Sequence, residues 1–192
     1  MKNFTALKRP ALLLVDLQKG FDTISYWGNE RNNPEAEKNC RLILDLWRMK
    51  SFPIVHVQHC SSNPNSLLAP THPGNAFKES FEPLPSETVI KKNVNSAFIG
   101  TSLQKHLTTN NVSTLIIVGL TTDHCISTTT RMAGNYGYEV FLISDATATF
   151  DKTGMDGKNY SAELIHQTAL ASLHGEFATV IPAQTLLQDF NN

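Results

Sequence analysis

Residues 114–133, TLIIVGLTTDHCISTTTRMA, constrain the fold more than any other stretch of this chain. Leu115 to Val118 form an apolar run, introduced by Thr114 and ended by Gly119. A threonine-rich elbow follows, then a helical pattern carrying Ile126, Met132 and Ala133. An uninterrupted apolar run of this length predicts a parallel strand buried on both faces, leading through a tight turn into a helix. Cys125 falls where the turn becomes the helix. A helix N-terminus presents unpaired backbone N–H groups and the positive end of a dipole. Both favour a thiolate over a thiol, and both can hold an oxyanion. Two readings of Cys125 stand at this point: a reactive nucleophile, or a structural cysteine of the kind often found buried.

The rest of the chain repeats the same alternation. Pro10 precedes ALLLVD, a first strand with Asp16 at its C-terminal end. Ligands of parallel α/β sheets bind beyond the carboxyl ends of the strands, so Asp16 is placed for a catalytic acid, or equally for a turn or helix cap. Residues 17–33 form a loop with Phe21, Tyr26 and Trp27, aromatics that suit either a pocket wall or packing over the sheet. Pro34 opens a helix whose stripe of Cys40, Ile43, Leu44 and Trp47 assigns Cys40 to the core. PIVHVQH, residues 53–59, is the second strand, with His59 at its end. A long loop over residues 60–86 follows, and loops of that length are usually functional or disordered. TVIKK, residues 88–92, is the third strand; Lys91 and Lys92 point to opposite faces, so one faces the cleft and the other solvent.

A helix follows SAFIGT and runs through about Thr109, before the strand at 114–118. Helix 124–136 returns to a fifth strand, EVFLIS, at 139–144; residues 145–157 form a loop with Phe150 beside it. A helix over Ala162–His174, a short strand FATVI and a terminal helix complete the order β-α-β-β-α-β-α-β-α-β-α. That alternation implies a mostly parallel sheet covered on both faces, as one domain over residues 1–192. No spaced glycines follow the first strand, which removes the dinucleotide-binding fingerprint.

Bulk properties narrow the function further. A net charge of -1 with 17% charged residues gives no basic excess for nucleic acid and no polybasic run for an anionic membrane. The N-terminal apolar run, Ala11 to Val15, is too short for a signal-peptide core and is followed by an acid. Cys40, Cys60 and Cys125 are odd in number and far apart, which predicts a reducing, cytoplasmic setting without disulfides.

Asp16, Lys92 and Cys125 each sit at or just beyond a strand's C-terminal end, and sheet geometry gathers such ends at one edge. A carboxylate there takes the thiol proton and later delivers it to a leaving group. An ammonium favours the thiolate and keeps the carboxylate ionised.

With these residues in view, the chain resembles the isochorismatase-like cysteine hydrolase family along nearly its whole length. The segments that carry the resemblance are LLLVDLQKGF, VIKKNVNSAFIGTSL, GLTTDHCISTTTRMAGNYGYEV and SDATATF. The resemblance implies a six-stranded, mostly parallel sheet in a three-layer α/β/α sandwich, Rossmann-like in its winding. It implies a catalytic triad of Asp16, Lys92 and Cys125, with Lys92 chosen over Lys91 because it stands four residues before Ser96. It also implies a cis peptide between Leu120 and Thr121, and an oxyanion hole made by the Thr121 and Cys125 amides.

The expected reaction is hydrolysis of an amide-like C–N bond of a small molecule through a thioester on Cys125. Two alternatives are vinyl-ether hydrolysis of the isochorismatase type and a non-catalytic ligand-binding or redox-sensing module. Phe21, Trp27, His59, Thr122 and Phe150 are the candidate substrate contacts. The Asp-x-His metal motif of the nicotinamidase branch is absent; VQHCSSNPNS stands in its place, and His59, Cys60 and His72 match no standard zinc spacing. No metal or other cofactor is expected, and nicotinamide is disfavoured as substrate. The expected partners are a small-molecule substrate and further copies of the chain, as a dimer or tetramer, with no nucleic acid and no membrane.

Overall fold

The computed structural model describes residues 9–191. Residues 1–8, the start of the stretch read against a signal peptide, lie outside the described residues. In chain order the elements are β1 (Ala11–Val15), α1 (Ile24–Trp27), α2 (Ala36–Lys50), β2 (Ile54–His59), β3 (Thr88–Lys92), α3 (Leu103–Thr109) and β4 (Thr114–Leu120). They continue with α4 (Ser127–Asn135), β5 (Glu139–Ala148), β6 (Lys152–Thr153), β7 (Asn159–Tyr160), α5 (Ala162–Leu173), β8 (Thr179–Ile181) and α6 (Ala183–Asn191).

Six strands form one sheet in the order β3-β2-β1-β4-β5-β8, and every neighbouring pair is parallel. Successive side chains of a strand point to opposite faces, and the core divides accordingly. Leu12, Leu14, Ile116 and Val118 pack with Trp47 and Ile43 of α2 and Leu186 of α6. Leu13, Val15, Leu115 and Ile117 pack on the other face with Leu103 of α3, Ala133 of α4 and Leu173 of α5. β1 and β4, central in the sheet, are buried at every position, which is why they read as unbroken apolar runs. No helix among the described residues is long and apolar enough to cross a membrane.

Three expectations are corrected. β5 extends through Ala148, four residues past the expected end at Ser144, so the loop expected from Asp145 starts later. The pairing of β4 with β5 shifts register between Ile117 and Gly119. Gly119 has φ +121, and a Cβ there would meet the Val15 carbonyl oxygen at 2.0 Å. Only glycine lets the β4 and β1 backbones approach this closely. On the other side of β4 the irregularity places its extra residues in β5, between Leu142 and Thr147, beyond which the pairing resumes. The hairpin β6–β7 then occupies residues expected to be loop. Last, the expected helix at 124–136 is two pieces: a wide π turn over Thr122–Ile126, then α4.

Candidate active site

Each of the three reactive groups stands where its strand runs out. Asp16 follows β1 with φ +54, a left-handed conformation that aspartate tolerates better than most residues. Lys92 closes β3, and the register pairs it directly with His59, the last residue of β2. Between the two adjacent lysines the burial is decisive: Lys92 is 3% exposed, whereas Lys91 is exposed. Cys125 sits in the π turn after β4, following a cis peptide between Leu120 and Thr121.

The Lys92 ammonium is the hub. Its Nζ lies 2.7 Å from Asp16 Oδ2, 3.1 Å from Cys125 Sγ and 2.8 Å from His59 Nδ1. An ammonium has three protons to donate, and three acceptors surround it. Asp16, His59 and Cys125 offer donor atoms all within 4.8 Å of one another, a spacing that would suit a metal ion. The lysine ammonium already supplies the cation those three groups share.

The protonation states follow from burial and charge. Burial opposes the charge on Lys92, but Asp16 and Cys125 outweigh it and hold the ammonium above its ordinary range. Burial and the Asp16 carboxylate push the Cys125 thiol well above its ordinary range, against the pull of Lys92. This corrects the expectation of a resting thiolate. One buried cation is already matched by the Asp16 carboxylate, and a second anion beside it would be uncompensated. The resting site is therefore a neutral thiol beside an ion pair. The second oxygen of Asp16, Oδ1, is buried without a hydrogen-bond partner.

Over the thiol lies a cavity of about 200 Å³. Phe21 and Trp27 form one wall, stacked with ring centroids 4.6 Å apart, and the Trp27 indole donates to the Gly20 carbonyl at 2.8 Å. Of the expected contacts, Phe21, Trp27 and His59 line this space, as do Thr121 and Cys125. Thr122 and Phe150 do not. Phe150 is fully buried behind the wall, 6.4 Å from Phe21 and 6.2 Å from Trp27 between centroids. Thr122 is turned inward, where its hydroxyl shares a 2.8 Å hydrogen bond with Nδ1 of buried His166.

The remaining lining comes from Ser61, Ser66 and Leu68 of the long loop, and from Asn95, His124 and Lys152. Asn95 lies between Lys92 and Ser96 in the sequence, a position that carried a signal; Lys152 arrives on a hairpin that local pattern did not reveal. Within the turn, the His124 and Ile126 amides donate to the Thr121 carbonyl, each at 3.2 Å. A larger groove of about 400 Å³, around Arg48, Glu87 and His106, opens at the opposite edge of the sheet, where β2 and β3 begin, and contains no cysteine.

Residues 10–185 match the model of the Isochorismatase domain. This chain belongs to the isochorismatase family. It is 48% identical to the uncharacterized isochorismatase family protein YrdC of Bacillus subtilis over 183 residues, 95% of this chain and 97% of the other. It is 27% identical to Nicotinamidase 3 of Arabidopsis thaliana, covering 93% of this chain and 87% of that enzyme. Among solved structures it is similar to an isochorismatase-family protein from Chromobacterium violaceum, with a TM-score of 0.92, 43% identity, and 97% and 96% of the two chains covered. Proteins of this isochorismatase family are hydrolases, and so is this chain.

Proposed function

We propose that this isochorismatase-family hydrolase cleaves an amide-like C–N bond of a small molecule through a thioester on Cys125, without a metal. The observation that carries the reading is the buried Lys92 ammonium held 2.7 Å from Asp16 and 3.1 Å from Cys125, the member of the three that lines a cavity of about 200 Å³. That is space for a small compound, with aromatic faces on one side.

In this reading Asp16 takes the Cys125 proton as Sγ attacks the substrate carbonyl carbon, and a C–S bond forms. The amides of Thr121 and Cys125 receive the oxyanion. The C–N bond breaks, Asp16 returns the proton to the departing nitrogen, and ammonia or an amine leaves. Water then attacks the thioester, giving its proton to Asp16; the acid departs, and the thiol recovers the proton. Lys92 compensates charge throughout, since every proton passes through Asp16, 2.7 Å from its ammonium. Nicotinamide is disfavoured as substrate, because His59 and Cys60 stand where the nicotinamidase branch has its metal motif. From the cysteine usage and the family resemblance we further propose a cytoplasmic homo-oligomer; light scattering after gel filtration tests the assembly.

The test is intact-mass analysis of wild type and Cys125→Ala after incubation with a panel of small amides, ureides and isochorismate. An acyl mass on the Cys125 peptide, together with loss of turnover in Cys125→Ala, supports the thioester. Turnover that survives Cys125→Ala without an adduct moves the reading to vinyl-ether hydrolysis by Asp16 and Lys92. Absence of adduct and turnover across the panel favours a ligand-binding or redox-sensing module.

A further inference from the structure

His59 has no part in the three-residue scheme, yet it makes one of the shortest contacts in the site. We propose that His59 is a positioning residue for catalysis: its Nδ1 accepts one Lys92 proton and so aims the other two at Asp16 and Cys125. The proposal rests on the hydrolase reading above.

Four observations carry it. Parallel register makes His59 and Lys92 direct neighbours on β2 and β3, so both side chains emerge on the same side of the sheet. The Nδ1–Nζ distance is 2.8 Å, close to the 2.7 Å contact with Asp16. A charged lysine only donates, so Nδ1 must be the unprotonated nitrogen and the ring hydrogen must sit on Nε2. Finally, both backbone groups of His59 are clamped by buried amides. Its N–H donates to Gln18 Oε1 at 2.8 Å, and its carbonyl accepts from Gln18 Nε2 at 3.0 Å and Asn75 Nδ2 at 2.8 Å. Gln18 is fully buried, and Asn75 is tied again to the Leu68 carbonyl at 2.7 Å. A ring that only filled space would not need its main chain held so firmly.

Without this acceptor, the ammonium has a free proton and a vacant direction, and its aim at the thiol loosens. Protonating His59 has a stronger effect, because it places two cations in contact. The charged and titratable groups facing the ring are Lys92 from β3, Asp16 from the end of β1, and Cys125 from the turn after β4. His124 and Lys152, the latter paired with Asp123 at 3.6 Å, stand across the cavity. Burial and Lys92 lower the tendency of His59 to protonate, against the pull of Asp16. The ring is therefore neutral near pH 7, and the site loses its geometry as pH falls through the range where the ring charges.

Iodoacetamide serves as the probe, with alkylation of the Cys125 peptide followed by mass spectrometry across pH. His59→Leu should slow alkylation about 10- to 100-fold, the worth of one hydrogen bond to a charged group. His59→Asn presents a non-titrating oxygen at the position of Nδ1. It should recover most of the rate, with the acid limb of the profile moved to lower pH. Nitrogen-15 NMR of the wild-type histidines should show His59 with a bare Nδ1 and a protonated Nε2. A His59→Leu rate within threefold of wild type, a wild-type acid limb retained by His59→Asn, or a proton on Nδ1 would each overturn the assignment. Should Cys125 react in no form of the protein, the thioester reading fails and the catalytic role of His59 with it; should Cys125 react while the proton sits on Nδ1, the thioester reading stands and this assignment alone is overturned.

Discussion

Replacing Lys92 by methionine removes the cation from a site where the anion cannot reach water. Asp16 is 0% exposed, its Oδ2 loses the 2.7 Å contact with Nζ, and its Oδ1 has no partner to begin with. Removing one member of a buried ion pair costs about 3–5 kcal/mol, most of it the penalty of leaving the other charge unpaired. With a urea dependence of about 3 kcal/mol per molar for a chain of this size, the unfolding midpoint should fall by about 1–1.7 M. Adding Asp16→Asn to Lys92→Met should reverse most of that loss. The charge is gone, and what remains is the imperfect hydrogen bonding of a neutral amide, about 1–2 kcal/mol or some 0.3–0.7 M. The assay is urea unfolding followed by circular dichroism at pH 7 on the wild type and the two variants. If the double variant is no more stable than Lys92→Met, the unpaired carboxylate is not the source of the cost, and the account of an ion pair beside a neutral thiol fails.

Other consequences are as open to measurement. Glu87 accepts from Arg48 at 2.7 and 2.9 Å, from His56 at 2.7 Å and from the Leu84 amide at 2.9 Å. Burial opposes its charge, but Arg48, the Leu84 amide and His56 prevail and hold its carboxyl at about 2. A lowered folded value stabilises above the ordinary range and is lost as pH falls through it. Wild type should therefore lose up to about 3 kcal/mol between roughly pH 4.5 and 2, and Glu87→Gln should lack that part of the slope in acid titrations of stability. Gly119→Ala combines positive φ with a clash on the Val15 carbonyl. It should cost about 2–6 kcal/mol and lower Tm by about 5–20 °C in a thermal melt; a shift under about 2 °C would deny the close approach. Trp27→Ala should open the cavity wall and raise KM for any substrate found, with a smaller change in kcat, whereas Phe150→Ala, behind that wall, should act mainly on stability, by about 3–5 kcal/mol.

Local pattern carried the fold a long way because its causes are local. Short apolar runs at residues 11–15 and 115–118, bounded by Pro10 and Gly119, read as strands buried on both faces, and a stripe at 3.6-residue spacing marks α2 as a core helix. A reactive residue at the end of such a run is on the carboxyl edge of the sheet, which marks Asp16, one of Lys91 and Lys92, and Cys125 as candidates; the choice of Lys92 came from the family resemblance. Burial of Lys92 and exposure of Lys91 follow from the same alternation, once one lysine is assigned inward.

Convergence was not legible in this way. His59 was named as a cleft residue and candidate substrate contact but not as a partner of Lys92, because that contact depends on the β2–β3 register, which no local signal encodes. Thr122 and Phe150 were expected to touch substrate; their neighbours in sequence do lie at the site, but the direction of each side chain is set by distant partners, His166 for one and the Phe21–Trp27 stack for the other. The state of the thiol was set in the same fashion. A helix N-terminus alone argues for a thiolate, and burial together with the Asp16 carboxylate, brought in at the end of another strand, reverses that sign. The sequence by itself therefore determined the main strands and helices, their succession along the chain and the candidate groups at the strand ends, since periodicity and strand ends are properties of neighbouring residues. The tertiary structure alone decided the charge states, the pocket wall and the place of His59, since electrostatics and shape depend on groups that only the folded sheet brings within a few ångströms.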